Sequence, residues 1–579
     1  MFFHNRIVLV FVLLSFTSVY GQEPVFTGNV SVTYEAAIAA YQRLADTHSE
    51  ATLHEIGSTD VGRPLHVFVI DKGGKGFDPA ISNRSVLLIN NGIHPGEPCG
   101  IDASLQLAER LLSARSPYSA WLDSVVVAII PVYNVGGALR RGCCVRANQD
   151  GPEAYGFRGN ARNLDLNRDF IKADSENAKA FYRVFHWVKP HVVIDTHTSN
   201  GADYQYVMTM INTQPDKAGE AQGAYIREKM NPDVYARMEQ AGFGMTPYVF
   251  SLGVTPETGL RDYLETPRYT TGYAALFNAI GYTSETHMLK PFAQRVESTY
   301  QFLRATLEHM HANNHALIEL RRASDRQVET QKTFAIDWEL DTTQFRMIPF
   351  RGFEAHYPKS KIHGESRLAY DRSRPFEREI RYYDRYKVTR AVQAPIAYVV
   401  PQAWREVVER FKLNGVQMKR LERDTVVHLE VYYIRAFTSS NAVYEGHHLN
   451  TVNALEVQNE AVQLFAGDYV VYVNQTSNRY IVETLEPQAV DAFFRWNFFD
   501  SVLQQKEWYS DYVFEDTAAD LLAENAALRA EFEAAKASDA DLAASPKRQL
   551  FWIYLRSPFY EGTVNRYPVF RMVEKMDLR

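Results

Sequence analysis

Residues 86–112 constrain the fold of this chain more than any other stretch. The apolar run at 86–89 is typical of a buried strand, and two Asn residues and a Gly then end it. Apolar residues recur at helical spacing from 101 to 112. His94 and Glu97 lie in the turn between these two elements. The stretch therefore predicts a strand, a tight turn and a helix, with an imidazole and a carboxylate at the edge where open α/β sheets bind ligands.

Strands and helices alternate along the first half of the chain. Such alternation indicates an α/β fold with a mostly parallel sheet. Because the carboxyl ends of parallel strands meet at one edge, we expect Asn134, His197 and Glu285, which lie at or just beyond predicted strand ends, to approach His94 and Glu97 there. The predicted strands are 125–131, 191–195 and 282–285, and the predicted helices are 34–47, 176–188 and 292–317.

Length and charge limit the possible architectures and partners. A chain of 579 residues exceeds what one hydrophobic core usually supports, so two or three domains are expected. The net charge of −7 is spread without long runs, which argues against nucleic acid or an anionic membrane as the main partner. We predict an α/β catalytic unit at 25–320, a β-rich accessory domain at 325–440 and a mixed α/β region at 441–579. Within the last region, 468–473 and 479–485 are predicted to pair as a hairpin.

The first residues have the pattern of a secretory signal peptide. His4 and Arg6 precede an apolar run at 7–16, and small residues follow before Gln22. The run is too short to span a bilayer, and no later stretch is long and apolar enough to do so. We therefore expect a cleavable signal at 1–21, a mature protein without a membrane span, and secretion or release into a periplasm.

His94 and Glu97 are a ligand pair that zinc accepts, and a hydrolytic zinc site takes three protein ligands and leaves one position open for water. His197, at the end of its own strand, is the natural third ligand. Such a site also needs a general base, for which Glu285 is placed. The long loop 136–163 and the residues after it bring several arginines close to the proposed metal. Guanidinium groups can bind a carboxylate through two hydrogen bonds or stabilise a developing oxyanion.

Other side chains could also bind a metal. Cys99 follows Glu97 closely, although a packed thiol is the simpler reading, and the adjacent pair Cys143 and Cys144 could form a local disulfide. A second candidate set lies near one face of the closing helix, where a solvated surface is the simpler interpretation. That set is Glu308, His311 and His315.

Four motifs in order make the chain resemble the zinc carboxypeptidase family of the carboxypeptidase A type over roughly residues 30–318. The motifs are His-Pro-Gly-Glu at 94–97, Arg-Gly-Asn through Asp-Leu-Asn-Arg at 158–168, Asp-Thr-His at 195–197 and Ser-Glu-Thr-His at 284–287. The resemblance implies a mixed, mostly parallel central sheet with helices on both faces, followed here by β-rich accessory regions. It also implies one zinc ion and a peptide substrate with a free C-terminal carboxylate.

The resemblance implies a role for each matching residue. His94, Glu97 and His197 match the zinc ligands, Glu285 the general base, Arg158 the arginine that polarises the scissile carbonyl, Asn167 and Arg168 the pair that binds the terminal carboxylate, and Asp165 the partner of the first histidine.

Two features depart from the family pattern. The family's Asn-Pro-Asp-Gly is Asn-Val-Gly-Gly at 134–137, and the loop that leads to Arg158 is long. No obvious propeptide precedes the catalytic unit, so activation by proteolysis is not expected. The substrate-binding tyrosine is not fixed by spacing, because Tyr263, Tyr269 and Tyr273 are all candidates. The chain is thus expected to be an exported zinc metallocarboxypeptidase. The alternatives are a zinc amidase acting on peptidoglycan stem peptides or acylated amino acids, and a non-catalytic peptide-binding protein; the sequence does not indicate the oligomeric state.

Overall fold

The structure is a computed structural model, and it describes residues 26–73, 77–78 and 82–578. The predicted signal peptide at 1–21 lies outside the described residues. The strands of the first half are β1 (Ala51–Ser58), β2 (Pro64–Ile70), β3 (Ser85–Asn90), β4 (Val125–Ile130), β5 (Val192–Ser199), β6 (Met208–Asn212), β7 (Met245–Pro247), β8 (Leu260–Arg261) and β9 (Ile280–His287). The helices are α1 (Tyr34–Thr47), α2 (Cys99–Leu112), α3 (Val135–Leu139), α4 (Glu176–Val188), α5 (Pro215–Ala218), α6 (Glu220–Tyr225), α7 (Asn231–Gln240), α8 (Thr270–Leu276), α9 (Phe292–Ala312) and α10 (Asn314–Thr330).

Eight strands form the central sheet, in the order β1-β2-β4-β3-β5-β9-β6-β7. The pairs β3–β4, β3–β5, β5–β9 and β6–β7 are parallel, and the remaining three pairs are antiparallel. Every residue of β3, β4 and β5 is buried, as expected for parallel strands covered on both sides. The predicted mixed, mostly parallel sheet is confirmed.

Helices cover both faces of this sheet, which also confirms the predicted class. Side chains alternate along a strand, so neighbouring residues of β3 enter different cores. Leu88 packs in a core with α4 residues such as Phe181. Leu87 packs in a second core with α2 residues such as Leu107 and α9 residues such as Val296. Within the described residues, no helix is both long and apolar enough to cross a bilayer.

The second half is rich in antiparallel sheet, as predicted. Its strands are β10 (Thr333–Leu340), β11 (Arg346–His356), β12 (Ala369–Tyr383), β13 (Tyr386–Gln393), β14 (Ala397–Val400), β15 (Lys419–Arg420), β16 (Thr425–Ser439), β17 (Asn450–Leu464), β18 (Tyr469–Tyr472) and β19 (Phe570–Met572). Its helices are α11 (Arg405–Leu413), α12 (Asn478–Leu485), α13 (Asp511–Glu524), α14 (Ala526–Ser538), α15 (Ala540–Ala544) and α16 (Pro546–Tyr554). Six strands form one sheet, in the order β15-β18-β14-β19-β16-β17.

The two halves of the chain pack against each other. β8 from the first half pairs in parallel with β12. The core that contains α4 also contains Phe411, Tyr480 and Trp496 from the second half. The domain boundaries near residues 320 and 440 stay predictions, but the second half lies close enough to influence the first.

The predicted hairpin partner at 479–485 is wrong, because these residues form helix α12. All eight residues of α12 are buried, and Tyr480 and Ile481 pack in the large shared core. An apolar run of this length is equally compatible with a strand or a buried helix. Tertiary packing therefore decided between the two, which the local sequence could not do.

Candidate active site

Three neighbouring parallel strands bring the predicted catalytic residues to one edge of the sheet. His197 of β5 and Glu285 of β9 are direct register partners, so their side chains emerge on the same face. β3 pairs with the other side of β5, and His94 and Glu97 follow β3 in the turn before α2. The fold therefore places these four residues together, although they are far apart in the sequence.

His94, Glu97 and His197 form a compact group of potential metal ligands. One ligand atom from each residue lies within 4.8 Å of the others. The three residues are only 2%, 3% and 3% exposed. Within the described residues, no other group of three His, Cys, Asp or Glu side chains is arranged in this way.

The hydrogen bonds of the two imidazoles aim one nitrogen of each ring at this group. Nε2 of His94 lies 2.9 Å from Oδ1 of Asp165, while its buried Nδ1 has no hydrogen-bond partner. Nε2 of His197 lies 3.0 Å from Oδ2 of Asp195, and its Nδ1 lies 3.1 Å from Oε2 of Glu97. A buried nitrogen without a partner is costly unless a ligand binds it. Two imidazoles oriented by carboxylates, with a third carboxylate beside them, are a donor set that fits zinc.

Asp195 is a site residue that the sequence analysis missed. It is fully buried, and it accepts hydrogen bonds from Asn90 and Thr270 as well as facing His197. Asp195 and His197 are two residues apart on one strand, so their side chains share a face. That spacing was the available signal.

Two arginines contact the carboxylate of Glu97. Nη1 of Arg146 lies 2.8 Å from Oε1 of Glu97, and Nη1 of Arg158 lies 3.4 Å from the same oxygen. Burial by itself would raise the pKa of Glu97, but Arg146 and His94 outweigh it and hold the pKa well below its usual range. Arg158 was predicted near the metal; Arg146 was not, because it lies in an irregular part of the loop with no motif around it.

Asn167 and Arg168, the predicted binders of a terminal carboxylate, form part of a 3₁₀ turn, Leu166–Arg168, beside the metal ligands. Oδ1 of Asp165 accepts a hydrogen bond of 2.9 Å from the backbone N–H of Asn167, which caps this turn. The guanidinium of Arg168 stacks 4.5 Å from the ring centroid of Tyr269. The turn therefore carries a fixed cation and an amide at the wall of the site.

One cavity of about 480 Å³ contains these groups. Its wall includes the three metal-site residues, Glu285, Arg146, Arg158, Asn167, Arg168, Ile211, Tyr248, Tyr263, Glu265 and Tyr269. Burial, together with the negative charges of Glu97 and Glu265, raises the pKa of Glu285 to about 8. The charge of His197 lowers this pKa, but by a smaller amount. A carboxyl group with such a pKa can exchange a proton with water near neutral pH.

The cavity separates the three candidate tyrosines. Tyr263 and Tyr269 line it, and the hydroxyl of Tyr263 donates to that of Tyr269 at 3.0 Å. Tyr273 is buried in the core, where its hydroxyl donates to Asn414. Tyr248 also lines the cavity, although no sequence motif pointed to it.

The other candidate ligands have separate partners. Sγ of Cys99 contacts the hydroxyls of Thr198 and Thr286, and Cys143 and Cys144 are joined by a disulfide. Glu308 pairs with Arg237, and His311 contacts Ser124. None of these residues joins a metal-like group within the described chain.

Comparisons with known proteins agree with this geometry. Residues 37–202 match the family model described as zinc carboxypeptidase, a segment that includes His94, Glu97 and His197. Over this segment the chain matches the zinc carboxypeptidase family. It is accordingly a metal-dependent hydrolase of the exopeptidase class, and the family and the ligand group together imply zinc.

Individual carboxypeptidases resemble the chain over a longer stretch. Carboxypeptidase 2 of Trichophyton tonsurans is 21% identical over 485 residues, which cover 78% of this chain and 81% of that protein. Carboxypeptidase 2 of Trichophyton rubrum is 21% identical over 486 residues and covers 78% of this chain. Among solved structures, carboxypeptidase A of Helicoverpa armigera is 14% identical with a TM-score of 0.38, covering 49% of this chain and 74% of that one. A metallo-carboxypeptidase of Burkholderia cenocepacia is 18% identical with a TM-score of 0.38, covering 49% and 70%.

Removing a metal ligand from this zinc carboxypeptidase should abolish stable zinc binding. We expect His94→Ala to weaken zinc affinity by more than about 100-fold, because a lost ligand costs more than a lost partner of a ligand. Zinc retained after dialysis against a chelator measures the effect. His363→Ala, at an exposed histidine far along the chain, is the control. Full zinc retention by His94→Ala would contradict the assignment.

Proposed function

We propose that this protein is an exported metallocarboxypeptidase that hydrolyses the C-terminal peptide bond of peptides and prefers a basic terminal residue. One observation carries the proposal. A single cavity combines the zinc-ligand group, the carboxyl group of Glu285 and the Asn167–Arg168 pair. Hydrolysis needs the first two, and recognition of a chain end needs the third.

The proposed reaction divides the work among these side chains. Zinc bound by the ligand group would lower the pKa of a water molecule to about 7. Glu285 takes a proton from the attacking water, whose oxygen bonds to the carbonyl carbon of the scissile peptide. Arg158 faces the developing oxyanion; loss of such a donor typically costs about 10²–10³ in turnover. The C–N bond then breaks, and the proton held by Glu285 passes to the departing amine.

Recognition of the chain end falls to Asn167 and Arg168. A guanidinium group binds a carboxylate through two parallel hydrogen bonds. The C-terminal amide of a peptide is uncharged and has only one oxygen, so it cannot accept this pair of hydrogen bonds. Stacking on Tyr269 and a hydrogen bond from its own Nη1 to the carbonyl oxygen of Asn167, 2.8 Å long, fix the guanidinium of Arg168. A peptide without a free terminal carboxylate should therefore bind poorly.

The preference for a basic residue rests on Glu265, a buried carboxylate in the cavity wall. Glu265 is 6% exposed, and the hydroxyls of Thr271 and Thr283 both contact its Oε2. No Lys, Arg or His of the described chain lies within ion-pair distance of it. Burial raises the pKa of Glu265 by more than the hydrogen bonds from Thr271 and Thr283 and the charge of His197 lower it. A cation bound beside this carboxyl group would favour its charged form further. A buried carboxylate of this kind selects a ligand that supplies the missing positive charge.

The surroundings of Glu265 suit a long basic side chain. Ile211, Tyr248 and Tyr263 line the same cavity, and aliphatic stems of Lys and Arg pack well on apolar and aromatic surfaces. Glu265 is also linked to the carboxylate site. Thr271 contacts Glu265, while its neighbour Thr270 contacts the side chain of Asn167. Neighbouring groups of the protein would thus bind the terminal carboxylate and the terminal side chain of the substrate.

Export is supported by the N-terminal pattern of a short apolar run flanked by basic and small residues. The disulfide between Cys143 and Cys144 is compatible with an oxidising compartment.

The proposal can be tested by mass spectrometry of a peptide library incubated with the zinc-loaded protein. Each peptide is supplied with a free C-terminus and as its C-terminal amide. We expect stepwise loss of single residues from the free acids only, fastest where the terminal residue is Lys or Arg.

Other outcomes would replace the proposal. Cleavage of acylated amino acids or peptidoglycan stem peptides, with no ladder from ordinary peptides, would favour the amidase. Binding without any cleavage would favour a peptide-binding protein. Internal cleavage of both forms would contradict the role given to Arg168.

A further inference from the structure

A loop from the C-terminal half reaches the segment that orients the metal site. Strands β16 and β17 form a long hairpin, and residues 440–449 connect them; we call these residues the tip loop. Within it, Tyr444 and His447 exchange backbone N–H···O hydrogen bonds of 2.8 and 3.0 Å. The loop therefore ends in a tight two-residue turn made by Glu445 and Gly446.

Glu445 is an unusual residue for the place it occupies. The φ angles of Glu445 and Gly446 are +49° and +85°. Turns with positive φ at both central residues favour Asn, Asp or Gly at the first of them, and longer side chains are uncommon there. The backbone conformation of the turn does not favour a glutamate at position 445, so the presence of this residue must be explained by the contacts of its side chain.

The side chain of Glu445 holds Asp165. Its Oε2 accepts a hydrogen bond of 2.7 Å from the backbone N–H of Asp165, across 280 residues of sequence. The carboxylate of Asp165 in turn contacts three groups of the site. These are Nε2 of His94 at 2.9 Å, Nε of Arg158 at 2.9 Å and the backbone N–H of Asn167 at 2.9 Å.

Further contacts fix the tip loop on both sides of Glu445. Nε2 of His447 lies 2.7 Å from Oδ2 of Asp174. On the other side, the ring of Tyr444 lies 5.5 Å from the guanidinium of Arg268. Because the loop is held at both ends of its turn, Glu445 acts on Asp165 from a fixed position.

We propose that Glu445 is a positioning residue of the active site, through which the C-terminal hairpin fixes the backbone of Asp165. By fixing this residue, it sets the orientation of His94 toward zinc and of the Asn167–Arg168 turn toward the substrate carboxylate. The inference rests on the proposed function for its substrate side, but its zinc side can be measured without any peptide.

The decisive variant is Glu445→Asn. Asparagine suits the backbone of this turn, so the melting temperature should stay unchanged or rise. Its side chain is too short to reach Asp165, so zinc affinity should fall about tenfold, the lower end of the range for groups that support metal ligands. KM for free-acid peptides should rise more than kcat falls, because the 3₁₀ turn that carries Arg168 is loosened.

Two further variants complete the test. Glu445→Gln keeps an oxygen that can accept the same hydrogen bond, so its zinc affinity and KM should stay near those of the unchanged protein. Val443→Thr, at a tip-loop residue that is 64% exposed, controls for any change in the loop. A role that is merely structural would lower the melting temperature of Glu445→Asn and leave zinc affinity intact.

The results separate this inference from the proposed function. Unchanged zinc affinity and KM in Glu445→Asn would overturn it, as would equal losses in Glu445→Gln and Glu445→Asn. If the unmodified protein binds zinc but cleaves no peptide, the proposed function fails, while the zinc measurements still decide the role of Glu445.

Discussion

Replacing Glu285 with Gln is expected to lower kcat by about 10²–10⁴-fold, the usual contribution of a general acid–base group, while zinc binding persists. The amide has nearly the same shape but cannot take a proton from water. Glu285 does not belong to the ligand group of His94, Glu97 and His197, so the metal should remain. Steady-state kinetics on a free-acid peptide and metal analysis of the same sample measure both effects.

The control for this variant is Glu515→Gln, which makes the same chemical change at an exposed position of α13. It should have the kcat of the unmodified protein. Full activity of the Glu285→Gln protein would contradict the role of Glu285 as general base. Loss of zinc would instead show that Glu285 helps to hold the metal.

The sequence predicted the central site because its residues obey simple rules of α/β folds. His94 and Glu97 follow a strand that is apolar throughout, and His197 and Glu285 lie toward the ends of two others. Parallel pairing then forces these ends together, whatever the intervening chain does. The fold class of the first half and the ligand group could therefore be predicted without knowing any loop.

Residues that reach the site from irregular segments could not be predicted in the same way. Arg146 lies in a long loop with no periodicity, and its contact with Glu97 depends on the path of that loop. Tyr248 and Glu265 come from a polar stretch whose short elements were not predicted. Asp195 was accessible through its spacing from His197, but the motif around it was interpreted only for the histidine.

The contribution of the second half was beyond the sequence analysis for a different reason. Glu445 meets Asp165 only because a hairpin of two 15-residue strands lies against the first half. No local pattern encodes a contact across 280 residues. The helix at 478–485 shows the same limit, since its apolar residues suited a strand until packing was considered.

Replacing Glu265 with Gln should change which terminal residue is removed. For peptides ending in Lys or Arg, kcat/KM should fall by about 30- to 1000-fold, since leaving one partner of a buried charge pair unpaired costs about 2–4 kcal/mol. For peptides ending in Leu, little should change, because no charge pair is lost. Gln can still accept the hydrogen bonds of Thr271 and Thr283, so the cavity should keep its shape.

The ratio of kcat/KM for Arg-ending and Leu-ending peptides is the measurement that isolates this effect. A change in folding or zinc content would lower both values together and leave the ratio unaltered. Glu515→Gln should again keep the ratio of the unmodified protein. If the unmodified enzyme already prefers Leu, or if Glu265→Gln keeps a preference for Arg, then Glu265 is a buried structural carboxyl group. In that case the tyrosines of the cavity must recognise the terminal side chain of the substrate instead.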